Sequence, residues 1–223
     1  MVASKPTAMK IVSLNVGMPQ EVLWHGQPVT TGIFKSPTSE RIRLRTLNLD
    51  GDRQADLTVH GGEHKAVYCY PVEHYTYWQK KLPGRDLPLG VFGENFTTKG
   101  MLEQDVHLGD RFAINDAEVV VTQPRLPCYK LGIRFQADDM VKKFLASRRI
   151  GFYVAVTREG SVAAGDEMIP VVQNASAISI ANFLQLFLTK SFSDADRASL
   201  KELYALPSVP LDWKQYFRER SGV

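Results

Sequence analysis

The segment Gln123-Pro124-Arg125-Leu126-Pro127-Cys128-Tyr129-Lys130 carries a thiol among two prolines and two cations. Pro127 fixes its own φ and drives Leu126 toward extended backbone, so the sulfur sits on a stiff stretch of chain. Arg125 and Lys130 favour the thiolate over the thiol wherever they fold beside it. A thiolate held this way serves a soft metal centre or a nucleophilic step. The competing reading treats Cys128 as a small buried hydrophobe.

A second segment, Val59-His60-Gly61-Gly62-Glu63-His64-Lys65-Ala66-Val67, has the makings of an anion site. Gly61 and Gly62 let the backbone approach a ligand, their N–H groups can form a nest, and Lys65 completes it as a point charge. The GxxxxGK spacing of a nucleotide loop is absent. His60 and His64 are metal-ligand candidates, although the glycines argue against one helix face carrying both. A plain glycine turn between strands is the alternative. In the third segment, Phe92-Gly93-Glu94-Asn95-Phe96, Asn95 offers donors and acceptors to a heterocycle edge or satisfies its own turn.

The elements that position these residues read as mostly strands. Residues 10–16 are β-branched and apolar, and Arg41-Ile42-Arg43-Leu44-Arg45 alternates with the period of a half-buried strand. Asp50-Gly51-Asp52 signals a turn. Residues 106–114 read as a strand bent at Gly109-Asp110. Residues 117–123, 151–157 and 161–172 continue the run. Many short strands with Gly/Pro turns predict a barrel or sandwich, and the absence of GxGxxG and of regular βαβ alternation argues against a dinucleotide fold. Two helices are predicted within this part, over 71–81 with Pro71 at its first position and over 137–149. The aromatics Tyr68, Tyr70, Tyr75, Tyr77 and Trp78 read as core more readily than as a stacking platform. Beyond Gln173 the pattern turns helical: 178–189, a helix opened by a capping box at Ser193-Asp194-Ala195-Asp196, and a third after Pro207 and Pro210. Domain limits of 1–175 and 176–223 follow.

Composition narrows the class. With 44% hydrophobic residues the chain is an ordinary globular protein, and a net charge of +3 is too small to argue for a nucleic-acid polymer as partner. No apolar run reaches the roughly 18–20 residues that span a membrane. The start lacks a secretory core, and the two cysteines, Cys69 and Cys128, make no disulfide framework, so a reduced, cytoplasmic protein is expected. CxxC and HExxH are absent.

Taken in order, the Gly51-Asp52 turn, His60-Gly61-Gly62 with Lys65, Gly93-Glu94-Asn95, and Gln123-Pro124-Arg125 leading to Pro127-Cys128 resemble the fingerprint of the MOSC domain, the C-terminal domain of molybdenum cofactor sulfurases and its stand-alone relatives. The helical tail resembles that of the YiiM subfamily. The resemblance implies a mainly β MOSC barrel with a few helices plus a small all-α three-helix unit, binding a pterin-based molybdenum cofactor (molybdopterin). It implies that Cys128 ligates molybdenum, that His60, Gly61, Gly62 and Lys65 lie at the cofactor, with Lys65 and the glycine backbone suited to its phosphate, that Asn95 suits the pterin edge or the phosphate, and that Arg125 supplies positive charge. It further implies reduction of N-hydroxylated small molecules, hydroxylated nucleobases among them, with His60 or His64 as proton donor because histidine titrates near neutrality. One departure stands out: the N-terminal domain that closes over the cofactor in better-known relatives has no room here. Arg41, Arg43 and Arg45 are candidate replacement cations, or a solvated strand face.

Electrons for such a reaction must come from outside. The chain has no flavin, NAD or haem motif and no cluster-binding cysteines, so a flavoprotein or iron–sulfur reductase is the expected partner, with the helical tail as its docking surface or simply as a cover for the barrel edge. Two other readings stand beside the reductase: a sulfur carrier holding a persulfide on Cys128, and a non-enzymatic cofactor-binding protein.

Overall fold

The computed structural model of the protein describes residues 8–56, 61–174 and 178–222. In chain order the elements are β1 (Lys10–Val16), β2 (Gln20–Trp24), β3 (Gln27–Thr31), β4 (Ser36–Thr38), β5 (Ile42–Leu44), a 3-10 turn (Glu63–Lys65), β6 (Val67–Pro71), α1 (Glu73–Lys81), β7 (Phe96–Lys99), β8 (Arg111–Ile114), β9 (Ala117–Pro124), α2 (Tyr129–Phe135), α3 (Met140–Ser147), β10 (Phe152–Arg158), β11 (Gly160–Val162), β12 (Ile169–Val172), α4 (Ile180–Leu188), α5 (Asp194–Ala205) and α6 (Leu211–Ser221).

Eight strands make one curled sheet in the order β12-β8-β9-β10-β6-β7-β1-β4. The segment entering β12 returns to β1: Ile11 N–H donates to Asp166 O at 2.9 Å, Gly165 N–H to Ile11 O at 2.8 Å, and Met168 N–H to Met9 O at 2.9 Å. These bonds bring the sheet round on itself, which shelters edges that would otherwise offer unpaired backbone. β9 lies between β8 and β10 with its side chains buried nearly throughout, as the Val119-Val120-Val121 run requires of a central strand. All pairs are antiparallel except β6 with β7, which run parallel through the crossover helix α1. β2 and β3 form a separate hairpin whose two-residue turn, His25-Gly26, has φ of 51° and 75°, the left-handed pair that matches strand twist.

Two hydrophobic clusters fill the molecule. One combines the barrel interior (Leu14, Val106, Leu108, Phe112, Val119) with Ile180, Phe183, Leu200, Leu203 and Phe217 of the tail helices. The other gathers Tyr68, Tyr70, Tyr75, Trp78, Phe92 and Phe144 beneath α1 and α3. The predicted aromatic group is therefore core, apart from half-buried Tyr77. Ser193 and Asp196 form the predicted capping box of α5.

Several predicted elements shift. α1 starts at Glu73 because Pro71 still pairs in β6 and Val72 N–H donates to Thr98 O at 2.7 Å. The helix over 137–149 shortens to α3 and gains a predecessor, α2: Gln136 turns left-handed with φ 46° and Ala137 N–H closes on Gly132 O at 3.0 Å. Arg41 forks Asp166 at 2.8 and 2.7 Å and Arg45 forks Asp50 at 2.7 and 3.1 Å on exposed strand edges. Two of the three arginines are thus spent on surface carboxylates away from the thiol, the solvated-face alternative.

Candidate functional site

β9 ends at Pro124, α2 begins at Tyr129, and the four residues between carry the thiol. Cys128 occupies the N-cap position in extended conformation, with Leu131 N–H donating to its carbonyl at 3.0 Å. Arg125 N–H donates to Gly151 O at 3.2 Å, which ties the loop to the start of β10. The Arg125 side chain is 5% exposed, with its guanidinium 5.2 Å from the Tyr68 ring centre and 5.4 Å from that of Phe144. Its Nη1 has no hydrogen-bond partner among the described residues. A buried guanidinium nitrogen left unpaired costs free energy that an anion would recover.

One cavity collects Cys128, Arg125, Lys65, Lys130, Tyr68, Tyr153 and Asn95, with Lys35, Asp52 and Gly93 on its far side. Lys35 is ion-paired to Asp52, and Arg125, Lys65, Lys130 and Arg53 bring further positive charge to the lining. Burial pushes the Arg125 guanidinium down, but Tyr68, Tyr153 and Cys128 outweigh it and the net shift is upward. Burial raises the Tyr153 phenol, and Arg125 offsets part of that rise. Burial lowers Lys65, against an opposing pull from Asp212 of α6. The cavity is therefore cationic and holds a soft sulfur donor.

The predicted site residues separate into two groups. Lys65, Asn95, Arg125 and Cys128 share the cationic cavity. Gly61, Gly62 and His64 line an adjoining groove of about 400 Å³ against α6, and Lys65 lines both spaces. His60 lies outside the described residues. Asn95 contributes differently from the expectation of a direct contact. Its Oδ1 accepts from Tyr68 N–H at 3.1 Å and its Nδ2 donates to Asp52 Oδ2 at 2.9 Å, so the amide is engaged in holding the wall.

Four residues without a predicted role complete the construction. Asp52 accepts from Gly17 N–H at 2.9 Å and pairs with Lys35, locking the end of β1 and the start of β4 to the Asn95 loop. Glu94 is fully buried and accepts from Gly90 N–H at 2.9 Å, Phe92 N–H at 3.1 Å, Thr97 Oγ1 at 2.9 Å and the Tyr75 hydroxyl. Burial raises its carboxyl, with those donors pulling the other way. The loop it ties includes Gly93 at φ +84°, where a Cβ would lie 2.9 Å from Ile33 Cγ1. Tyr153 and Trp213 are the other two. Only Asp52 and Glu94 had a visible signal, an acid beside a motif glycine.

The MOSC domain family model matches residues 56–169, a span that takes in Lys65, Asn95, Arg125 and Cys128. The chain belongs to the MOSC domain family. The uncharacterized protein YflK of Bacillus subtilis (strain 168) is 38% identical over 195 residues, 86% of this chain and 88% of its own. The crystal structure of YiiM from Geobacillus stearothermophilus superposes with a TM-score of 0.78 at 32% identity, covering 95% of this chain and 98% of that one. A Gibberella moniliformis (strain M3125 / FGSC 7600) protein named Reductase is 31% identical over 144 residues, 63% of this chain and 26% of its own length. The likeness to YiiM thus includes the tail helices, which the MOSC match does not reach. MOSC domains are associated with the molybdenum cofactor, and the residues present fit it on two counts: an unpartnered buried guanidinium nitrogen with lysines beside it for an anionic group, and a thiol for a soft metal.

Proposed function

We propose that this MOSC protein is a molybdenum-cofactor-dependent reductase of N-hydroxylated compounds in a reducing, cytoplasmic setting. It would take its electrons from an external flavoprotein or iron–sulfur reductase. The observation that carries the reading is the convergence of Cys128 with Arg125, Lys65 and Lys130 on one cavity, with Arg125 Nη1 unpartnered. In the overall balance, R–NHOH takes up two electrons and two protons, the N–O bond breaks, and R–NH2 and water leave. When bound, the cofactor would supply the two-electron redox couple.

The chain's own residues bind and orient. Arg125 and Lys65 neutralise the anionic end of the cofactor, and Cys128 donates its sulfur to the metal. Buried Glu94 and Asp52 fix the loops that frame the cavity. Exposed His64, in the adjoining groove, is the proton donor in reach of a substrate entering from that side.

The test is turnover of an N-hydroxylated aromatic amine with reduced methyl viologen as electron source, using protein from a host that makes the cofactor. Amine should form with wild type and fall by at least about a hundredfold in Cys128→Ser, since the lost ligand is essential to the metal site. Equal turnover by the two proteins, or a sulfur atom added to Cys128 with no metal present, would sink the reading.

A further inference from the structure

The Cys128 site continues into the helical tail. A cavity of about 180 Å³ is lined by Cys128, Tyr153, Lys65, Gln123 and Trp213. Lys65, Gln123 and Trp213 also line the 400 Å³ groove, so the groove and the cavity beside the thiol adjoin along these three residues. Trp213 comes from α6, outside the span of the MOSC match.

The indole is fixed from several sides. Its Nε1–H donates to Gln123 Oε1 at 2.7 Å, and Gln123, buried in β9, donates through Nε2 to the His64 carbonyl at 3.3 Å. Phe183, Phe187 and Tyr216 meet it edge to face at 5.1, 5.8 and 5.4 Å, with interplanar angles of 89°, 89° and 87°. A ring held by a partly buried hydrogen bond and three perpendicular neighbours has one orientation. Gly61 and Gly62 bring side-chain-free backbone to the same groove, beside Glu63, His64 and Asp212, and a Cβ built on Gly62 would meet no atom within 4 Å. An oriented indole and side-chain-free backbone lining one groove make a slot whose shape matches a flat ring.

We propose that Trp213 is a specificity-determining residue of the Cys128 site, which stacks a planar aromatic substrate so that its N–O end points along the adjoining cavity to the thiol. The inference rests on Cys128 marking the reaction centre, and it adds the contribution of the tail. The slot favours flat aromatic N-hydroxylated compounds over aliphatic ones.

The test reads binding, with turnover left aside. 2-Aminopurine, a fluorescent flat heteroaromatic amine, is titrated into protein from a cofactor-making host, and molybdenum is measured on the same preparations. Saturable quenching is expected. Trp213→Phe, which keeps an aromatic face, should bind within about threefold of wild type. Trp213→Leu, which keeps apolar volume only, should bind at least about tenfold more weakly, the scale of one base–aromatic stack. Acetohydroxamic acid, N-hydroxylated but without a ring, should compete at least about tenfold more weakly than adenine. If Trp213→Leu fails to fold, the indole N–H resonance of Trp213 in wild type, assigned through Trp213→Phe, should still shift on adding 2-aminopurine. Unchanged affinity in Trp213→Leu, an unmoved indole resonance, or equal competition by acetohydroxamic acid overturns the inference. Absent molybdenum with intact ring binding would instead overturn the reductase reading alone.

Discussion

A guanidinium sealed under Tyr68 and Phe144 with one nitrogen unpartnered forgoes a hydrogen bond that an anion reaching it would restore. Arg125→Met should therefore leave stability within about 1 kcal/mol of wild type, measured by urea denaturation, because the apolar chain still packs under Tyr68 and Phe144 and leaves no buried nitrogen unpartnered. The same variant should retain at least about tenfold less molybdenum, since a charge-assisted hydrogen bond to an anion contributes about 1.5–3 kcal/mol. Cys128, Arg125 and Lys65 stood out as candidates from residue type and neighbours, and the fold brings them to one cavity. Asp52, Glu94 and the settled role of Asn95 were not, because a buried acid declares itself only when its partners arrive. The bond from Gly17 to Asp52 spans 35 positions and that from Asn15 to Asn95 spans 80.

Among the elements, the joint at Glu103 links three. Its carboxylate accepts from Ile150 N–H at 2.9 Å and Gly151 N–H at 2.8 Å and pairs with His74 Nε2 at 2.7 Å, while its carbonyl accepts from Ala181 N–H at 2.9 Å. α1, β10 and α4 are tied there. Burial alone pushes the carboxyl up, but His74 and the Gly151 N–H outweigh it and hold it below the ordinary carboxylate value. A lowered folded-state pKa stabilises the fold above the unfolded carboxyl's value of about 4.5, and that contribution is lost as pH falls through the folded value. Wild type should therefore lose stability on acidification below that point. Glu103→Gln should cost about 2–3 kcal/mol near neutrality and show a flatter acid limb in denaturant titrations at stepped pH. At α5, Ser193→Ala removes the capping box and should cost about 1 kcal/mol in the same assay. β1, β5, β9 and β10 were readable because runs such as Val119-Val120-Val121 and the alternation at Ile42-Arg43-Leu44 carry their character openly, whereas β2, β3, β4, β6 and β7 went unpredicted. α2 was not, because Gly132 and Ile133 weaken its helix signal and Pro127 marks the approach as extended. What holds it is burial of Leu131, Ile133 and Phe135.

At the scale of the whole molecule, barrel and tail share one apolar cluster, so the tail is structural as well as a wall of the groove. Removing residues 178–223 would expose Val106, Leu108 and Phe112 and take away Phe183 and Phe217, each buried ring or aliphatic chain contributing about 1.5–3 kcal/mol. The shortened chain should lack a cooperative thermal transition; a sharp transition like that of wild type would show that the barrel stands alone. The tail helices were legible from their 3.6-residue period, whereas their merger with the barrel core depends on docking geometry that no local pattern encodes. Among the described residues no helix is long and apolar enough to cross a membrane. The central claim, that Cys128 holds the metal of a cofactor seated among Arg125, Lys65 and Lys130, is tested most directly by molybdenum content. Wild type and Cys128→Ala, purified from one cofactor-making host, are compared by inductively coupled plasma mass spectrometry. Close to one molybdenum per wild-type chain is expected, with a loss of at least about tenfold in the variant. Equal metal in both proteins, or none in wild type from a competent host, would contradict it.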